Sequence, residues 1–131
     1  MKKSMRKTLF LAAVCLLLPV YVHASSYNFT FDFKVSLVSQ IRSMSGSHVS
    51  ITTTSKPSKT SVDITTFQVA LERVTTNFLG IKSYSLIGKV SHPRTGTKTT
   101  KWTNVGSGNY QFTLSKANDG VTLTGTGQIF N

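Results

Sequence analysis

Residues 25–131 of this chain hold four carboxylates, Asp32, Asp63, Glu72 and Asp119, and two histidines, His48 and His92. Acid–base or metal chemistry would have to be drawn from these six. Glycoside hydrolysis needs two carboxyls facing one bond, and no two of the acids stand close in sequence; Asp32 and Asp63 would have to meet across neighbouring strands. Asp119 belongs to an Asp-Gly pair that suits a tight turn. Neither histidine has a second His, Asp or Glu at a ligand spacing, so a zinc site would need three ligands brought together by the fold alone. Both therefore read as surface histidines near loops. Serine is abundant, yet Gly106-Ser107-Gly108 falls short of the Gly-x-Ser-x-Gly elbow that exposes a nucleophile. There is also no glycine-rich phosphate loop followed by lysine. The pattern implies no catalytic residue, no metal and no cofactor.

The cations offer more. "HPRTGTKTTKW" puts Arg94, Lys98, Lys101 and Trp102 within nine residues, with His92 just before them. On a strand beginning near Thr97, Lys98 shares a face with Thr100 and Trp102 while Lys101 projects the other way. Ammonium and guanidinium groups beside an exposed indole suit a lipid headgroup layer or a polyanion. The alternative is that Trp102 packs in the core and the lysines discourage edge-to-edge pairing. Lys56 and Lys59, flanking Pro57, add to the same positive field. These six residues, Arg94, Lys98, Lys101, Trp102, Lys56 and Lys59, are the candidate binding set.

The start of the chain has the order of a secretory signal. Lys2, Lys3, Arg6 and Lys7 precede an apolar run of 14 residues, Leu9 to Val22, and Val22 and Ala24 stand at the small-residue positions before a cut after Ala24. The run is short against the roughly 20 residues of a spanning helix, and Pro19 interrupts it. The expected division is a signal peptide over 1–24 and a single domain over 25–131. Cys15 is the one cysteine and leaves with the signal, which excludes disulfides, a thiol nucleophile and cysteine metal sites from the exported part. The remaining 11 Lys and Arg against four acids give that part a formal charge of +7. Its 107 residues suffice to bury a core without covalent help.

The elements that must carry these groups are strands. "SSYNFTFDFKVSL" sets Tyr27, Phe29, Phe31, Phe33, Val35 and Leu37 on every second place, the mark of a strand with one buried and one wet face. A turn is expected at Ser45-Gly46, a short strand around Val49 and Ile51, and a break at Pro57. In "SVDITTFQVALERVTT" a strand requires a bulge near Thr65-Thr66, because Val62 and Ile64 are out of phase with Phe67, Val69 and Leu71. A short helix competes there, and Thr and Val density favours the strand. "NFLG" turns the chain. Tyr84, Leu86 and Val90 alternate after it, as do Tyr110, Phe112 and Leu114 later. The closing stretch "NVGSGNYQFTLSKANDGVTLTGTGQIFN" reads as a hairpin over Asp119-Gly120. Gly125 and Gly127 hold inward places in it, where another backbone or a bulky side chain can come close.

About seven short strands with turn signals between them predict an all-β, small antiparallel β-sandwich of immunoglobulin-like size, with an open barrel as the alternative. The function expected is that of a secreted, extracellular, cationic protein without catalytic machinery. It would bind an anionic cell-envelope polymer or lipid surface, as an antimicrobial or competition factor would. The alternative is a structural matrix or surface-layer protein that self-associates through strand edges. No specific nucleic-acid recognition is expected.

Overall fold

The alternation after Ser25 forms β1 (Ser26–Phe33) in the computed structural model, which describes residues 25–60 and 63–131; the expected signal peptide lies outside them. Phe31 and Phe33 are buried on one side of β1, and Asn28, Thr30 and Asp32 meet water on the other. Eight strands follow: β2 (Ser36–Val38), β3 (Arg42–Met44), β4 (His48–Pro57), β5 (Thr66–Thr76), β6 (Lys82–Pro93), β7 (Gly96–Thr103), β8 (Gly108–Ser115) and β9 (Leu123–Phe130). They build two antiparallel sheets. One has the order β1-β9-β4-β7; the other has the order β2-β8-β5-β6, with β3 sharing the outer edge of β8 with β2. The β-sandwich expected from the sequence is the fold. The strands beyond seven are β2 and β3, three residues each, too short to leave a period in the sequence.

The closing stretch is not a hairpin. β8 pairs with β5, β2 and β3, whereas β9 pairs with β1 and β4 in the other sheet. Both strands carry an apolar face, and in a sandwich two such faces can meet from opposite layers. Those layers lie about 10 Å apart, twice the spacing of neighbouring strands, so residues 116–122 serve as a corner and not a two-residue turn. Gly120 still supplies a positive φ, +75°, within that corner. Only β5 and β6 are consecutive strands paired with each other; the chain otherwise alternates between layers or runs along β8.

Residues 66–76 are strand, with Phe67, Val69 and Leu71 buried. The bulge sits elsewhere than expected. The β5–β6 register runs Leu71↔Gly88 and then Glu72↔Leu86, leaving Ile87 as the extra residue. Ile87 turns toward the core, and the alternation flips. Val90 therefore opposes buried Val69, while Tyr84 and Leu86, in phase with it in the sequence, oppose Val74 and Glu72 on the outer face.

The core lies between the layers. Phe31, Phe33, Val49, Ile51, Leu123 and Ile129 face Phe67, Val69, Leu71, Tyr110, Phe112 and Leu114. Phe29 packs on Phe112 with ring centroids 4.6 Å apart. Gly125 and Gly127 are required by the rings beside them. A side chain at Gly125 would collide with Phe31 and the Thr54 carbonyl, and one at Gly127 with Phe29 and the Thr52 carbonyl. Buried Tyr110 donates its hydroxyl to the carbonyls of Val105 (2.6 Å) and Gly106 (2.7 Å), fixing the loop that precedes its own strand.

Candidate functional site

Of the six residues in the candidate set, Arg94 is not on the surface. It follows β6 and is 3% exposed. Its backbone N–H donates to the Thr65 carbonyl, its Nε to the Thr66 carbonyl at 2.9 Å, and its Nη1 to Asp119 at 2.6 Å. Lys116, buried at the end of β8, donates to the other Asp119 oxygen at 2.7 Å and to the Ala117 carbonyl. Asp119 is thus more than a turn residue. It clamps the β8–β9 corner to the end of β6, and the Lys116 and Arg94 hydrogen bonds hold its carboxyl well below the usual carboxylate range. An unmatched arginine in a loop gives no sequence sign of this, because its partner lies 25 residues away.

His92 is likewise inside. It is wholly buried on the inner face of β6 and reaches across to the opposite sheet, with Nδ1 2.7 Å from Thr53 Oγ1 and Nε2 2.8 Å from Thr100 Oγ1. Phe67 meets the ring edge-on at 5.9 Å. Burial, with a smaller push from Lys98, lowers its pKa to about 4. A neutral imidazole is one donor and one acceptor, and the two hydroxyls satisfy it in either tautomer. His92 is therefore a neutral strut between the sheets. His48, by contrast, is half-buried at the start of β4.

Trp102 belongs to the core side of β7. It opposes Val49 of β4, packs against the core, and lays its indole on Gly88 of β6, where a side chain would collide with it. Thr100 lies on the same face, as expected from the alternation, and Lys101 projects outward. Lys98, at the edge, donates to the Ser91 carbonyl of β6 at 2.7 Å. Lys56 and Lys59 are exposed, Lys56 on the outward phase of β4 and Lys59 in the following loop. Lys59 and Arg94 border one groove of about 270 Å³ with Pro57 and Pro93 between them.

What unites the remaining cations is topology. β6 is the outer strand of one sheet and β7 of the other, and they lie together on one side of the sandwich, joined through His92–Thr100 and Lys98–Ser91. That side presents Lys82, Lys89, Lys98 and Lys101, all exposed. No acid occurs from Arg73 to Asn118. Of the acids, Asp32 is on β1 at the opposite edge, Asp119 is occupied by its two buried cations, and Glu72 lies on β5, opposite Leu86 of β6, where it accepts from Thr113. Arg73 is engaged elsewhere, donating to the Ser107 carbonyl at 2.6 Å over the Tyr110 ring. The sequence reading finds half of this edge, Lys98 and Lys101. It misses Lys82 and Lys89, whose proximity to β7 is set by the pairing of layers and not by spacing along the chain.

No family model and no curated protein matches the chain. Among solved structures it is similar to the crystal structure of the Yersinia pseudotuberculosis-derived mitogen, at 14% identity and a TM-score of 0.36, over 82% of this chain and 83% of that one. That likeness carries no residue roles across.

Proposed function

We propose that the protein is a secreted cationic β-sandwich, without catalytic machinery, that binds an anionic envelope component through the edge formed by β6 and β7. The supporting observation is that β6 and β7, the neighbouring outer strands of the two sheets, carry exposed Lys82, Lys89, Lys98 and Lys101 and no acid. Ammonium groups fixed on a rigid ribbon attract a surface of phosphates or carboxylates at long range. The same lysines weigh against assembly through these two edges, because a charged edge strand resists pairing with another chain. Retention of residues 25–131 on anionic vesicles and on purified envelope polymer, over a salt series, tests the proposal. Binding should be strong at low salt and vanish near 1 M, where the screening length falls to about 3 Å. Retention unchanged at high salt, or indifference to every anionic surface, would refute it.

A further inference from the structure

The five-stranded sheet carries a projecting arm. β5 pairs with β8 only from Gln68 to Val74, so Thr75 and Thr76, with Ser83 and Lys82 opposite, run past the last rung shared with β8. The arm closes over residues 77–81. Asn77 Oδ1 accepts from the N–H groups of Leu79 (2.9 Å) and Ile81 (3.0 Å), the Gly80 N–H donates to the Asn77 carbonyl, and Gly80 has a φ of +81°. Asn77 and Gly80 thus shape the turn, and the side chains beside them are free to point outward.

Those side chains are apolar. Phe78, Leu79 and Ile81 are 95%, 69% and 59% exposed, where turns are ordinarily filled by Gly, Asn, Asp, Ser or Pro. Tyr84 and Leu86 follow on the outer face of the arm, put there by the bulge at Ile87 and at least half exposed. Five of the eight exposed large hydrophobics among the described residues therefore fall within nine residues of sequence. Single exposed apolar residues need no explanation; a cluster marks a contact surface.

We infer that this tip enters the headgroup and upper acyl region of an anionic phospholipid bilayer. The inference rests on the charge-based reading above and names a lipid surface as the envelope component. The order of groups along the arm matches the layering of a bilayer surface. Phe78, Leu79 and Ile81 lead, the Lys82 ammonium follows at phosphate level, and Tyr84 comes next, an amphipathic ring suited to the boundary. The nearest acid, Glu72, stands opposite Leu86, roughly 17 Å along the strand from Ile81 at about 3.4 Å per residue. Interfacial insertion reaches about 5–10 Å, which leaves Glu72 outside, accepting from Thr113. Lys89, Lys98 and Lys101, farther from the tip, act on the surface at long range, over the screening length of about 30 Å at 0.01 M salt. A second copy of the chain fits less well. A groove of about 250 Å³ between β1 and β2, lined by Phe29, Leu37 and Phe112, has Arg42 in its lining, which would meet Lys82. The wider groove of about 760 Å³ over β1, β9 and β4 is lined largely by Asn28, Gln128 and threonines, which offer an apolar tip little contact.

The chain after Ala24 has no cysteine, so Leu79→Cys takes a single environment-sensitive fluorophore, and Ser36→Cys, on the far edge of the same sheet, is the control. With vesicles of one part anionic to three parts zwitterionic phospholipid, the label at 79 should shift to the blue and be quenched by shallow lipid-borne nitroxide. The label at 36 should do neither. Phe78→Ser/Leu79→Ser, checked for an unchanged melting temperature, should weaken partitioning about 10- to 100-fold, the effect of two partly buried apolar side chains. Salt-sensitive vesicle binding with the label at 79 still in water, and no effect of the double substitution, would overturn insertion while leaving the charge-based reading intact. No binding to any anionic surface would overturn that reading itself. Lipid-free dimerisation abolished by the double substitution would overturn insertion in favour of a second copy.

Discussion

His92 makes stability depend on acid in a way that can be calculated. The imidazole is wholly buried between Thr53 and Thr100, and its pKa in the fold is about 4 against 6.5 for the free side chain. Protonation does not remove its hydrogen bonds, since both hydroxyls can accept; the cost is a cation taken out of water beside Lys98. Because the folded pKa is depressed, the unfolded chain binds the proton first as pH falls. The contribution is present above pH 6.5 and is lost between there and pH 4. Linkage at 1.36 kcal/mol per unit gives a loss of about 2 kcal/mol between pH 7 and pH 5, and about 3 kcal/mol by pH 4. Asp119 has the same sign but acts lower, because its carboxyl is held ionised below the usual range. Urea unfolding of residues 25–131 at pH 7, 6, 5 and 4.5, followed by the fluorescence of the single tryptophan, Trp102, measures the slope. His92→Gln keeps polar contact with the threonines and cannot titrate, so its stability should vary far less over this window. A native protein whose stability changes by less than about 0.5 kcal/mol from pH 7 to 5, or a His92→Gln protein with the same slope, would show that His92 does not set the acid sensitivity.

Three substitutions probe the framework around the proposed edge. Gly127→Val, which drives a branched side chain into the Phe29 ring and the Thr52 carbonyl, should cost about 3 kcal/mol or more in denaturant unfolding. Tyr110→Phe removes the hydroxyl that holds the Val105 and Gly106 carbonyls and should cost about 1–2 kcal/mol, read as a lower urea midpoint at unchanged slope. Asp119→Asn leaves Arg94 and Lys116 without a counter-charge, whereas Arg94→Met leaves a matched Lys116–Asp119 pair; calorimetry should therefore show the larger fall in melting temperature for Asp119→Asn.

How much of this was legible in the sequence depended on whether the signal was local. β1 announces itself because four aromatics alternate with polar residues over eight positions, and the pairing of Gly125 and Gly127 with bulky neighbours follows from their inward phase in β9. The Asp119-Gly120 pair misleads because its turn chemistry serves a hairpin and a corner between layers equally well; only the partners of β8 and β9 tell them apart. The bulge at Ile87 is invisible because its effect, turning Tyr84 and Leu86 outward, leaves the alternation of apolar residues in β6 looking regular. Arg94 and His92 look like loop cations because their partners, Asp119, Thr53 and Thr100, come from three different elements. At the proposed edge, Lys98 and Lys101 could be read together from spacing. Lys82 and Lys89 join them only once the two sheets are stacked.

Binding should depend on where the positive charge sits and not merely on how much there is. Two double variants that lose the same charge separate these ideas: Lys89→Ser/Lys101→Ser on the β6–β7 edge, and Lys34→Ser/Arg42→Gln on the side formed by β1, β2 and β3. At up to about 1 kcal/mol for each lysine, falling with distance from the anionic surface, the edge pair should lose more than about threefold and up to about 30-fold in affinity for anionic vesicles at low salt, and the far pair less than about threefold. Equal losses from the two variants would contradict the account.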